Sequence, residues 1–472
     1  MNKIKGNPNK LPLKTKIGYG ATGYGAAMFY NNFCFFALYF FTDYVHLNAA
    51  IASLIISLGA VWDAIIDPFI GYLSDKRSPA KGRRRPFLLW FCIPLTIFTW
   101  LSFTNPNFGI VGTVIYFTIV VIGAYTFQSL IEIPYSSLGA EITSDYAERA
   151  DLAAHRNVFW LISIVISSLF LLLVDVFGNV FANGDKMVGY SLASLFCALP
   201  IVFTILWTYK STKGLESKHE IIVKKYSWKH HVIEPLKNKS FRYVVLVFIF
   251  TIIAQSIYNS MGLYFLNHTL GMTEIQTTIY LTYQALVGFV GIFIAKFISH
   301  RSKKLAYGVL IGSWSLAIIL TLFLWYPGAS LLFMGLIGFM IGIGLQTQYQ
   351  LVWALIPDCV EVDEFQTGER REGIFYGMAS MMQQVGASLS IAVLGFVLTA
   401  IGYDGVAETQ STATLENIRY IYAGGVLLFL VLSIIVNFLN PMTKEKHAAL
   451  NRAIQLKKEG KEYDITDFKS VL

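Results

Sequence analysis

Two aspartates, Asp63 and Asp67, stand four residues apart in the apolar run "AVWDAIIDPFIGYLSD", and two further charges, Glu132 in "SLIEIPYS" and Arg156 in "AAHRNVFW", interrupt other apolar stretches. On a helix, side chains at i and i+4 share a face with Cβ atoms about 5 to 6 Å apart, so the two carboxylates are neighbours. Anions that close repel in a low dielectric, and the strain is relieved by a proton or by a small hard cation such as Na⁺, which takes carboxylate and hydroxyl oxygens. If the guest is Na⁺, Asp63 and Asp67 are its metal ligands. The plainer alternative is that Asp67, which precedes Pro68 and lies two turns from a basic loop, only pairs with an arginine there. Glu132 and Arg156 must likewise be paired or hold a polar ligand. A sugar hydroxyl can accept from guanidinium and donate to carboxylate at once; a purely structural Glu132–Arg156 pair is the other reading.

The elements that must position these groups are membrane-spanning helices. Of the 472 residues, 55 % are hydrophobic and only 14 % charged, with a mean hydropathy of +0.55. A bilayer's hydrocarbon core takes about 20 apolar residues per helix. Twelve apolar stretches fall near 17–43, 48–73, 86–104, 108–142, 152–178, 186–209, 241–267, 275–299, 304–326, 329–356, 373–402 and 416–440. An aspartate at the centre of such a span costs about 2.5 to 3.5 kcal/mol on insertion scales, so an acid there marks function by default.

The net charge of +8 does not point to nucleic acid, because the basic residues sit between the apolar runs. Their placement reports sidedness instead. With the N-terminus inside, the inner segments are the N-terminal tail, 74–85, 143–156, 210–242, 300–304, 369–371 and the C-terminal tail, leaving only Lys186 and Arg419 of the 37 Lys and Arg near the outer face. The positive-inside rule then puts both termini in the cytoplasm. The organisation expected is a cytoplasmic tail 1–16, a six-helix bundle 17–209, a cytoplasmic loop 210–240, a second six-helix bundle 241–440 and a polar tail 441–472, read as solvated and without a specific role. The stretches "IPYSSLGAEITSDYAERADLAAHRNVF" and "IPDCVEVDEFQTGERREGIFY" run alike from Ile-Pro through acids to arginine. Related halves of this kind mark carriers that rock two bundles about a central site. Acids and arginines of these loops, Asp145, Arg149, Asp358, Asp363 and Arg371, are candidates for salt bridges that gate the inner side, with Asp75 and Arg83 to Arg85 acting locally.

Four cysteines without pairing or histidine spacing predict neither disulfides nor zinc. No signal-peptide pattern opens the chain. A membrane enzyme would need a nucleophile with its base or a metal cluster, and HExxH, GxSxG and phosphate loops do not occur. No cofactor is expected beyond the coupling ion. Polar aromatics and amides inside the spans, among them Tyr24, Asn31, Asn32, Gln128, Gln348, Tyr349 and Gln384, suit an uncharged polar solute, although each serves equally well as an interhelical hydrogen bond.

The stretches "WDAIIDPFIGYLSDKRSPAKGRRRPF", "IEIPYSSLGAEI", "HRNVFW" and "PDCVEVDEFQTGERREGIFYG" resemble the glycoside-pentoside-hexuronide:cation symporters of the major facilitator superfamily, over about residues 15 to 445. The resemblance implies an all-α polytopic membrane protein of twelve helices in two six-helix bundles, multi-pass in a bacterial cytoplasmic membrane and functional as a monomer. It also implies import of a sugar or glycoside with Na⁺ or H⁺. Asp63, Asp67 and Ser129 fall on its cation site, Glu132 and Arg156 on its sugar site, and Gln128, Tyr24, Tyr349 and Gln384 on neighbouring sugar-site positions. Gly25 and Ser136 replace an aspartate and a tryptophan that the melibiose-type members use, and Gln384 replaces a lysine. A carrier for an amphiphile such as a lysolipid is the alternative within the same fold.

Overall fold

Apolar runs of this length can satisfy their backbone groups inside a bilayer only as helices or closed barrels, and the described residues form helices joined by short turns. The computed structural model describes residues 11–76, 84–143, 146–215, 234–368, 372–407 and 409–472. The chain divides into two compact units, one of residues 1–224 with 395–408, the other of 225–394 with 409–472.

The first unit holds α1 (Leu13–Tyr39), α2 (Ala49–Lys76), α3 (Arg85–Leu101), α4 (Gly109–Ile142), α5 (Tyr146–Ser168), α6 (Phe170–Ala182) and α7 (Lys186–Ser211). Helix α1 packs on α5 and α7, and α2 on α4. The single span expected over 152–178 is two helices, α5 and α6, bent by 49° at Leu169. Neither Pro nor Gly stands there. Instead the Ser168 hydroxyl donates to Val165 O at 2.7 Å and that of Ser167 to Asn32 Oδ1 at 2.6 Å, and serine back-bonding of this kind bends helices.

The second unit holds α8 (Lys239–Leu263), α9 (Glu274–Ser299), α10 (Lys303–Leu324), α11 (Leu331–Trp353), α12 (Ile356–Thr367), α13 (Glu372–Ala400, whose residues from Gly395 belong to the first unit), α14 (Thr412–Tyr420), α15 (Val426–Leu439) and α16 (Lys444–Lys458). The first long helix of each unit passes into a π turn, Phe40–Tyr44 after α1 and Tyr264–Thr269 after α8. That shared ending adds to the repeat seen in the sequence.

Among the described residues, nine helical stretches are long and apolar enough to span a bilayer, ten with the bent α5–α6 pair. Helix α3, at 17 residues, falls just short in length, and α1 carries Gly, Tyr and Asn where aliphatic residues would raise its hydropathy.

The C-terminal segment corrects the sequence reading. It is not a solvated tail: Leu450, Ala453 and Ile454 of α16, with Phe468 and Val471, are buried against Val362 and Phe365 of α12. The spacing i, i+3, i+4 is that of an amphipathic helix, masked in the sequence by the surrounding lysines and glutamates. Lys458 reaches Glu364 at 2.7 Å and His447 reaches Glu361 at 2.5 Å, fixing both ends of the contact.

Candidate cation and substrate site

The candidate residues come together because two helix pairs approach closely. A Cβ at Gly59 of α2 would lie 2.5 Å from Val121 Cγ1 of α4, and one at Gly23 of α1 would lie 2.4 Å from the carbonyl oxygen of Arg156 on α5. At Gly23 only glycine lets the two backbones meet; at Gly59 the α2 backbone lies against the Val121 and Tyr125 side chains. The first contact sets α2 against α4 about two turns before Ser129; the second seats the middle of α5, and so Arg156, against α1.

On α2, Asp63 and Asp67 are both half-buried. Ser129 of α4 donates its hydroxyl to Asp63 Oδ1. Beside this bond, Trp62 Nε1, next to Asp63 in the chain, donates at 2.8 Å to Thr126 Oγ1, one turn before Ser129, which fixes α2 and α4 in register beside the acid. Pro68 lies inside α2 and has no N–H, so the helix leaves the carbonyl of Ala64, between the two acids, without its usual partner. Two carboxylates, a hydroxyl and a carbonyl are the hard oxygen donors that a Na⁺ takes, and the carboxylates alone serve a proton.

A second cluster stands one turn further along α4. Arg156 Nη2 lies 2.5 Å from Glu132 Oε1, and the Ser136 hydroxyl bridges the pair, donating to Glu132 Oε1 at 3.0 Å and accepting from Arg156 Nη1 at 3.1 Å. The guanidinium also lies over the Tyr135 ring at 5.4 Å, an attractive placement for a cation. The other carboxylate oxygen, Glu132 Oε2, is shielded from solvent with no hydrogen-bond partner among the described residues, and so is Gln128 Oε1, whose amide donates to Ala26 O. Two buried acceptors without donors are costly and suit a ligand rich in hydroxyls. The sequence marks Ser136 only as the residue in place of a tryptophan, not as a partner of Glu132 and Arg156, and it does not mark Thr126. The i+4 spacing of Ser136 from Glu132 was the signal for the first; nothing distinguished the second.

The remaining candidates are placed as follows. Tyr24 is buried, its hydroxyl donating to Cys197 O of α7 at 3.0 Å. Asn31 donates to Ser163 Oγ at 2.9 Å, so both span-one asparagines serve the α1–α5 contact. Gln384 is half-buried on α13; Tyr349 lies on α11, with its side chain outside the described residues. Of the gating candidates, Asp145 and Arg371 lie outside the described residues. Arg149 is exposed and caps Thr143 O at 2.8 Å. Asp363 is buried on α12, and Asp358 pairs with Lys303 of its own unit at 2.6 Å. In the basic loop after α2, Arg84 is buried and engages Glu141 of α4 at 3.0 Å, while Arg83 and the Asp75 side chain lie outside the described residues.

Residues 18–444 match the model of a family described as MFS/sugar transport protein. The chain is 26 % identical over 426 residues to the isoprimeverose transporter of Lactiplantibacillus pentosus, covering 88 % of this chain and 85 % of that protein. It is 24 % identical over 444 residues to the inner membrane symporter YicJ of Escherichia coli (strain K12), covering 93 % and 92 %. Among solved structures, a bacterial homologue of the human lysosomal transporter Spinster superposes with a TM-score of 0.66 at 16 % identity, over 92 % of this chain and 97 % of that one. That likeness establishes the major facilitator fold.

Proposed function

Since this chain belongs to the MFS/sugar transport protein family, we propose that it imports a glycoside or related sugar across a bacterial inner membrane by symport with Na⁺ or H⁺. The observation that carries the reading is the adjacency, on α2, α4 and α5, of a carboxylate pair fitted to a cation and a Glu132–Arg156 pair with an unclaimed buried oxygen. The names of two relatives, an isoprimeverose transporter and an inner membrane symporter, support the cargo class and the location. The lysine and arginine asymmetry supports cytoplasmic termini.

In mechanism, a cation bound between Asp63 and Asp67 neutralises their field at Glu132, one turn from Ser129 on the same helix. Glu132 can then accept from a sugar hydroxyl while Arg156 donates to another, and the Ser136 bridge holds both side chains in reach. Coupling needs only that each ligand binds more tightly with the other present, and linkage makes the effect mutual. The doubly loaded and the empty carrier then reorient, and a gradient of the cation drives sugar uphill.

The test is uptake of a panel of glycosides and pentosides into proteoliposomes under an imposed Na⁺ or pH gradient. Accumulation of at least one sugar under one of the two gradients is expected. Failure of every sugar, with movement of a lysophospholipid instead, would replace the reading with that of an amphiphile carrier.

A further inference from the structure

The end of the second unit formed by the 299–304 turn, α12 and α16 encloses a cavity of about 230 Å³, lined by none of the residues assigned above to cation or sugar. Three lysines stand on its wall, each with its ammonium on the carbonyl that ends a neighbouring helix. Lys303 donates to Ala354 O after α11 at 2.9 Å, Lys444 to His300 O after α9 at 2.9 Å, and Lys304 to Asn440 O after α15. Helix C-termini are partly negative and hold such cations in place. An ammonium has three N–H donors, so one carbonyl each leaves Lys304 and Lys444 with donors to give.

Asp358 is the one acid among the lining residues, and Lys303 already engages it at 2.6 Å. Lys446 stands near enough to Lys304 for the two to repel each other. One of two N-cap hydroxyls adds to the donor set. Ser302 and Thr443 cap the N-termini of α10 and α16, each accepting a backbone N–H at 3.3 Å, from Leu305 and Lys446. An N-cap hydroxyl uses its oxygen in that bond and has its own proton to give; Thr443 gives that proton to Glu445, Ser302 keeps it for another acceptor, and two helix N-termini add their partial positive charge.

We propose that this cavity binds a small phosphate-bearing anion, its oxygens held by the ammonium groups of Lys304 and Lys444 and the hydroxyl of Ser302. Donors reaching in from two helices and a turn suit the several acceptor oxygens of a phosphate better than the two of a carboxylate. Because Lys304 belongs to α10 and Lys444 to α16, the anion ties the C-terminal helix to the bundle. A soluble phosphorylated metabolite and a lipid headgroup share this chemistry.

The test uses the full chain purified in a neutral maltoside detergent. It is melted in potassium phosphate, in glycerol 3-phosphate and in potassium chloride of matched ionic strength. It is then melted in phosphatidylcholine vesicles with and without phosphatidylglycerol. A higher melting midpoint with a phosphate-bearing probe is expected, lost in Lys444→Gln and Lys304→Gln and kept in Lys444→Arg. Lys444 is exposed, so its substitution leaves the fold intact. A rise with the soluble probes assigns a free metabolite; a rise confined to phosphatidylglycerol assigns a headgroup. Equal midpoints throughout, or a rise that Lys444→Gln retains, overturns the proposal. No transport step enters the assay, so its outcome is independent of the cargo.

Discussion

The hydroxyl of Ser129 on α4 donates to Asp63 Oδ1 on α2, joining the helix that carries the acid pair to the helix that carries Glu132. A hydrogen bond to a charged group is worth about 1.5 to 3 kcal/mol, and about 1.4 kcal/mol is tenfold in affinity. Ser129→Ala therefore changes cation activation of uptake about tenfold or more, and the direction identifies the ion. Removing an oxygen ligand raises the half-saturating Na⁺ concentration. Removing a donor that competes with a proton lowers the half-saturating H⁺ concentration instead. Cation titration of uptake by parent and variant reads either shift; superimposable curves would remove Ser129 from the site.

Gly23 bears on the sugar through Arg156. Its missing Cβ is what lets the Arg156 backbone sit against α1, and overpacking such a contact costs about 1 to 3 kcal/mol. Gly23→Ala is expected to lower the melting midpoint and to raise KM for sugar by shifting Arg156 away from Glu132. A variant that melts lower with KM unchanged would show the contact to be structural only.

Arg84 is buried, Glu141 is half-buried, and the two side chains are 3.0 Å apart. Removing one partner of a buried ion pair costs about 3 to 5 kcal/mol, because the other charge is stranded. Arg84→Gln is expected to destabilise the first unit by about 3 kcal/mol or more, read as a lowered unfolding midpoint, with Arg84→Gln plus Glu141→Gln recovering part of the loss. Additive loss in the double variant would contradict the pairing.

The C-terminal helix should respond to pH through His447. Glu361, by its hydrogen bond, and then Asp358 raise the His447 pKa against the opposing effects of its partial burial and of Lys303. A raised pKa in the folded state means a contribution fully present below the ordinary histidine value of about 6.5 and lost as pH rises through the raised value. Amide exchange of residues 444–458 is expected to quicken, relative to intrinsic rates, across that window in the parent and to show no such step in His447→Gln. An identical step in both would assign the effect elsewhere.

The sequence was most legible where polar residues break an apolar pattern. Asp63, Asp67, Glu132 and Arg156 stood out because each is costly in a bilayer, and the helix bearing each could be drawn from hydropathy alone. What joins them was not legible in the same way. Ser136 and Thr126 look like any small polar residue of a span, and the glycines that bring α1 to α5 and α2 to α4 carry no mark of which neighbour they admit. The bend at Leu169 lacks the proline that would announce it. Helix α16 was misread because its charged residues outnumber the three apolar ones that pack on α12, and the partner surface, a second amphipathic helix, is itself polar on average.

Asp63 and Asp67 lie at the centre of the account, as the acids whose neutralisation makes sugar accumulation possible. The direct measurement is the steady-state ratio of internal to external sugar in proteoliposomes under an imposed cation gradient, for the parent and for Asp63→Asn and Asp67→Asn. The account predicts a ratio well above unity for the parent and close to unity for each variant, with sugar still equilibrating across the membrane. Uphill accumulation by both variants to the parent's level would contradict it.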